Sequence, residues 1–416
     1  MAQDVASVTG ACLLVRRDMY AAAGGMNEHH FAVGLNDIDF GLRIRNDLGR
    51  RIIWTPHVRP VHKGMASRSR RTVPEEAAQK SYEQGCFDSY WFDVALDDPA
   101  ASPDVRNRDV PVLAGPPRGH AVAGSRRLRL CHRPIIFTHI PKTAGVSLRE
   151  RLSAEYLGNT LYALSARTMM RCYDGDRAAL TAAKNRLANA GIALTHVAHG
   201  FGALLGVDCA YATVLRDPTA RALAHREHLA AAATSPVHDT WLAEAPIDEW
   251  FRRGALRGNL MLRRILGERP ESVGWSGFQD GAFPHSPHFC GFRLPPEVWA
   301  GRAEALRSAP EIPPEEDTAL LARALDILHR DFCFVGRQEA LDAHIAALGA
   351  ALQWRTCEPP AQLNQAREQP TPLDQAQLAI VEDYNKLDRA LLSYIEALPG
   401  GFLLQPHLVY GGPHQG

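Results

Sequence analysis

The stretch Ile135-Ile136-Phe137-Thr138-His139-Ile140-Pro141-Lys142-Thr143-Ala144-Gly145-Val146-Ser147-Leu148 decides how this chain is read. Its first half is a short apolar run that breaks at Pro141, the end of a buried strand. Its second half holds Lys, Thr, Gly and Ser, and Leu148, Leu152 and Tyr156 then fall at helical spacing across 147–156. A strand that turns so quickly into a helix aims several backbone N–H groups and a positive helix end at one point, where a phosphate or sulfate can sit. Gly145 lets the backbone approach the anion, Thr143 and Ser147 offer hydroxyls, and Lys142 supplies a compact charge. An ordinary strand–turn–helix junction capped by a serine is the plainer alternative. Lys142 weighs against it, because 41 of the 46 basic residues are Arg and five are Lys. A nucleotide-triphosphatase loop is disfavoured, since that pattern needs Lys after its second glycine and here Lys142 precedes Gly145.

Outward from this loop, strand-like and helical runs alternate. Residues 211–215 and 332–336 read as buried strands, and 220–232 and 320–328 as helices. Thr371-Pro372 supplies an N-cap and first-turn proline for one long helix that runs to Leu398 and stops at Pro399-Gly400-Gly401. The alternation predicts an α/β domain with a parallel sheet over residues 134–400, followed by a loose tail over 401–416. Residues 111–133, rich in Pro, Gly and Arg without hydrophobic period, read as a linker behind a separate front segment, 1–110.

Composition narrows the partners. At 416 residues the chain is long enough for two or three domains, and 46% apolar residues favour folding over disorder. Lys+Arg and Asp+Glu both total 46, so no blanket attraction to nucleic acid or an anionic membrane is expected. No apolar run approaches the ~20 residues of a transmembrane helix, and Met1-Ala2-Gln3-Asp4 does not open a secretory signal. The eight cysteines are scattered without a C-x-x-C, which speaks against zinc or a disulfide scaffold and suits a reducing cytoplasm.

His139-Ile140-Pro141-Lys142-Thr143-Ala144-Gly145-Val146-Ser147-Leu148 resembles the 5′-phosphosulfate loop of the carbohydrate-type sulfotransferases, the sulfotransferase 2 group, whose usual form is HIPKTAGTSL. Further likenesses follow in order. Residues 213–221, TVLRDPTAR, resemble the family's TLLRDPVER junction; Asn259, Met261, Arg263 and Gly267 fit its N-G-M-T-R-x-L-x-G stretch; residues 334–339, FVGRQE, resemble FVGLTE. Asn385 and Asp388 fall in a helix like the family's last, so the likeness spans about 134–398.

The resemblance implies a P-loop-like parallel sheet flanked by helices, the sulfotransferase fold. It implies transfer of a sulfuryl group from 3′-phosphoadenosine 5′-phosphosulfate to a hydroxyl, here of a glycan acceptor, with no metal. The donor would be held by residues 142–148, that is Lys142, Thr143, Ala144, Gly145, Val146, Ser147 and Leu148, together with Arg216 and Arg221. Lys142 would stabilise the departing 5′-phosphate and Arg216 would pair with the 3′-phosphate. For the base that takes the acceptor proton, His199 is the first candidate and His196 the second; Glu150 and Glu155 remain acidic alternatives, and a purely structural histidine is the plain one. The family's serine eight residues after the 3′-phosphate Arg is Ala224 here, and one lost hydrogen bond to a charged group costs roughly 1.5–3 kcal/mol unless another hydroxyl such as Thr219 substitutes.

The front segment carries a second resemblance. Residues 8–17, Gly24-Gly25-Met26-Asn27-Glu28, residues 36–43 and Val61-His62-Lys63 resemble the C-terminal half of a family 2 glycosyltransferase, with 97–103 a looser fit. That implies a partial GT-A glycosyltransferase segment in which Asp37 would be the acceptor-activating base and His62 a metal ligand. Asp37-Ile38-Asp39 imitates a D-x-D metal motif but stands just before a helix, so Asp39 reads as a cap or ion-pair partner. Asp174-Gly175-Asp176 reads as a turn. The nucleotide-sugar half would need roughly 100 further residues upstream of Met1. The expectation is a glycosyltransferase remnant or a truncated gene start, unable to bind a sugar nucleotide alone.

Overall fold

The computed structural model describes residues 2–28, 30–59, 133–155, 161–164, 166–231, 241–269, 311–354 and 373–410, with Val61 and short pieces over 79–91, 105–106 and 112–113. Three small elements of the front are β1 (Gln3–Val5), the helix Asn36–Asn46 and β2 (Ile52–Trp54), with β1 and β2 paired antiparallel. β3 (Val105–Arg106) and β4 (Val112–Leu113) pair as a second two-stranded ribbon.

The main sheet comprises β5 (Ile135–Thr138), β6 (Leu161–Ala163), β7 (Ile192–Thr195), β8 (Ala210–Leu215), β9 (Phe332–Arg337) and β10 (Leu403–Leu404) in the order β10-β9-β8-β5-β7-β6. β6 to β9 pair parallel through the central β5, and β10 adds antiparallel on the edge of β9. The apolar runs seen in the sequence are continuous because both sheet faces are covered. Ile136, Ala193, Tyr211 and Val335 face one core with the helices Arg177–Asn189, Ala319–Asp331 and Lys386–Ala397. Phe137, Leu194, Val214 and Phe334 face the other, where Leu148 and Leu152 of the helix Gly145–Glu155 and Ile345 of the helix Leu341–Ala351 pack.

The expected strands and helices over 135–156, 211–232 and 320–336 stand within a few residues of their predicted limits. Four expectations are corrected. Thr371 and Pro372 lie outside the described residues, and the helix starts instead at Gln375 behind Asp374, whose carboxylate accepts the Gln377 N–H in a capping box. That helix ends at Tyr384, and a second one, Lys386–Ala397, begins after the non-helical Asn385. The tail is not loose over 401–410, because β10 needs the free edge of β9 and Leu408 and Val409 of the short helix His407–Tyr410 are buried. The linker's last residue, Arg133, also belongs to the domain: it donates to the carbonyls of Leu408 and Cys209 and pairs with Asp208.

Candidate anion-binding site

The helix after β5 packs against one core while the short helix Phe201–Leu205 after β7 packs against the other. The chain therefore leaves β5 and β7 toward opposite faces, the arrangement that in such sheets puts the usual ligand position at the carboxyl ends of the two strands. Thr138 and Thr195 stand side by side there in register, followed by His139 and His196. The two imidazoles lie 4.4 Å apart, centre to centre.

The turn that leaves β5 is built from left-handed backbone at two non-glycine residues, Lys142 (φ 70) and Ala144 (φ 65), on either side of Thr143. This alternation curves successive N–H groups around one concavity and is costly in isolation, of order 1–3 kcal/mol per residue, so it persists where surroundings enforce it. Thr143 does so by donating from Oγ1 and N to the Ile140 carbonyl. The opening amides of the helix Gly145–Glu155 then have no acceptor within the helix. A Cβ on Gly145 would fall inside the ring of His139, so glycine here answers to a close-packed histidine as well as to any ligand.

Lys142 is half-buried, and burial together with the Arg216 charge holds its ammonium below its ordinary pKa, with Glu227 opposing. The Arg216 guanidinium donates to the Lys142 carbonyl at 3.1 Å, so the loops after β5 and β8 are joined at the pair the sequence singled out. Ser147 and Leu148 are buried in the first turn, and the Val146 side chain lies outside the described residues. Arg221 lies in the helix Pro218–Ala231 behind Arg216, fully enclosed, and none of its three guanidinium nitrogens has a hydrogen-bond partner. Thr219 is already engaged, donating to Glu382 and accepting from Arg389.

The two candidate histidines occupy different settings. His196 bonds through Nδ1 to the His139 carbonyl at 2.9 Å. A carbonyl only accepts, so Nδ1 carries the proton and Nε2 the lone pair. Burial lowers its pKa to about 4 against that hydrogen bond, with the charges of Arg264, Arg149 and His228 adding to the effect. His139 is also held well below its ordinary value by burial, His196, Arg149 and Lys142, and its enclosed Nε2 has no partner. His199 instead bonds through Nε2 to Asp331 at 2.8 Å; burial lowers its pKa while Asp331 raises it. The side chains of Glu150 and Glu155 lie outside the described residues. Among the described residues no group of three His, Cys, Asp or Glu could hold a metal ion, and no helix is long and apolar enough to cross a membrane.

In the front, Asp37 accepts the Gly10 and Ile38 amides, and Asp39 is buried between Trp91 Nε1 at 2.8 Å and Arg43. Glu83, unremarked in the sequence, binds the amides of Val33 and Gly34. His62 and residues 97–103 lie outside the described residues. Asp176 caps the helix Arg177–Asn189 beside Gly175 at φ 79, the turn that the second D-x-D was read as.

No known family profile matches the chain. Two curated relatives match parts of it: the uncharacterized protein y4gI of Sinorhizobium fredii, 34% identical over 115 residues, and the O-antigen biosynthesis protein RfbC of Myxococcus xanthus, 38% identical over 76. The matches take in 27% and 18% of this chain but 12% and 6% of the relatives, which are far longer.

Proposed function

We propose that residues 133–410 form a sulfotransferase that moves a sulfuryl group from 3′-phosphoadenosine 5′-phosphosulfate to a carbohydrate hydroxyl. The observation that carries this reading is the left-handed turn at Lys142 and Ala144 with the Arg216 guanidinium docked on it. The residues fit such a donor: left-handed backbone at Lys142 and Ala144, an ammonium and a guanidinium stand together, with glycine next to them where a Cβ would meet the His139 ring. When bound, the donor supplies a sulfuryl group whose bond to the 5′-phosphate oxygen breaks as the bond to the acceptor oxygen forms. Lys142 and the amides of residues 144–147 offset charge gathering on the leaving phosphate, and Arg216 takes the 3′-phosphate. His196 receives the acceptor proton at Nε2, in the tautomer its Nδ1 hydrogen bond selects. His199, ranked first from the sequence, becomes the alternative here because its Nε2 is engaged by Asp331. The name of the Myxococcus relative, an O-antigen biosynthesis protein, supports a saccharide acceptor. Residues 1–110 are read as the acceptor-side half of a family 2 glycosyltransferase; with Asp37 committed to two amides, no UDP-sugar turnover by this chain is expected.

Calorimetric titration with adenosine 3′,5′-bisphosphate, alongside a radiolabelled sulfate-transfer assay on bacterial polysaccharides, tests the reading. Wild type binds and transfers; Lys142→Ala stays folded, loses transfer and binds at least about tenfold more weakly, the loss of one charged contact. Equal binding and transfer by the variant would remove the proposal. Binding without any sulfated product would instead mark a donor-binding protein that lacks turnover.

A further inference from the structure

Behind Arg216 lies a buried polar clasp that joins distant parts of the chain. Asn259, left-handed at φ 52 and 1% exposed, accepts the amides of Leu387 and Asp388 on its Oδ1 at 2.9 and 3.0 Å. Asp388, fully buried, returns the arrangement by accepting the amides of Met261 and Leu262 at 3.1 and 2.8 Å. Asn259 thus caps the first turn in which Asp388 lies, and Asp388 caps the helix Leu260–Ile265 that Asn259 precedes, across a sequence separation of 126 to 129 residues. Asn385 closes the set by accepting the Asn259 N–H and donating to the Val381 carbonyl. A buried carboxylate needs a cation, and Arg221 supplies the charge that acts on Asp388.

The clasp reaches the anion site through Met261. Its sulfur accepts the backbone N–H of Arg216 at 3.5 Å, and the Arg216 side chain in turn binds the Lys142 carbonyl. We infer that Asp388 is a positioning residue: by fixing Met261 it sets the backbone from which Arg216 reaches the second phosphate of the donor. This rests on the sulfotransferase reading and extends it to a side chain that touches no ligand. Arg216 touches the Lys142 turn through one nitrogen only, so the cost of misplacing it falls chiefly on the 3′-phosphate, and the clasp governs discrimination between adenosine 3′,5′-bisphosphate and adenosine 5′-monophosphate.

Both nucleotides are titrated into the full chain as wild type, Asp388→Asn and Met261→Leu. Wild type should favour the bisphosphate by at least about tenfold, the worth of one charge-assisted contact; equal affinities would sink the sulfotransferase reading itself. Given that preference, Asp388→Asn should weaken the bisphosphate about tenfold while leaving the monophosphate within about twofold. Met261→Leu keeps core volume and the clasp, removes the sulfur acceptor, and should erode the preference a few-fold. It decides the matter alone if Asp388→Asn does not fold. A wild-type preference that survives unchanged in the folded variants, or equal losses for both nucleotides, would overturn the positioning role and leave the donor reading intact.

Discussion

Under the proposed function His196 is the proton acceptor: its lone pair lies on Nε2, and its pKa of about 4 keeps the ring neutral at ordinary pH while making it a weak base. His196→Ala should therefore lower kcat by 10²- to 10⁴-fold, the usual worth of a positioned base, with little change in bisphosphate affinity. If His199→Ala produces that pattern and His196→Ala does not, the base belongs to the Asp331 pair. The same depressed value has a consequence for stability. The unfolded chain protonates this histidine near its ordinary 6.5 while the folded chain resists until about 4. Protons thus favour unfolding between those limits, and the stabilisation present above pH 6.5 is lost as pH falls toward 4. Urea midpoints across that range should fall with acid, and less steeply in His196→Gln; an equal slope would mean the ring is solvated in solution.

At the level of elements, the strand–turn–helix at 135–155 is tightened by one contact that no sequence pattern displays, the His139 ring lying in the space of a Gly145 side chain. Gly145→Ala should cost about 1–3 kcal/mol through overpacking. His139→Ala in the same chain should recover part of it, so the double variant loses less than the two single losses added; strict additivity in denaturant titrations would remove the contact from the account. What could be foreseen here follows from period and burial. β5, β8 and β9 announced themselves because strands covered on both faces are continuously apolar. The break at Asn385 was hidden, since Leu387, Leu391 and Ile395 continue an apolar face past Val381 and Tyr384 while the reason for stopping lies in Asn259, far away in sequence. β10 was hidden for a similar reason: Leu403-Leu404 becomes a strand through the edge β9 offers. Lys142 and Arg216 stood out as cations just after two apolar strands, and they do meet, whereas the enclosure of Arg221 and the Asp331 partner of His199 arise from packing.

Across the whole molecule, burial divides cleanly. Among the described residues, the front's two apolar clusters draw on positions 5 to 91 and the three clusters behind them on positions 135 to 410, with no member shared. A polar link crosses between them, Arg171 to Asp47 at 3.8 Å, from an arginine already held by Asp176 at 2.7 Å. A partly exposed pair of that length adds at most about 1 kcal/mol, too little to fuse two cores into one cooperative unit. The front also leaves Leu14 99% and Val61 89% exposed, with Ile53 and Trp54 of its two-stranded ribbon about half so, which limits the stability its small core can supply. Calorimetry should then resolve two transitions, the front melting first. Adenosine 3′,5′-bisphosphate binds the folded rear alone under the proposed function, so at 100 times its Kd it should add about 2.7 kcal/mol to that unit. The upper transition should rise by about 5–11 °C, at about 2–4 °C per kcal/mol for a large domain, while the lower one stays put. A single transition that moves as a whole on adding the nucleotide would mean the two cores fold as one, and the ligand's stabilisation would have to be assigned to the entire chain.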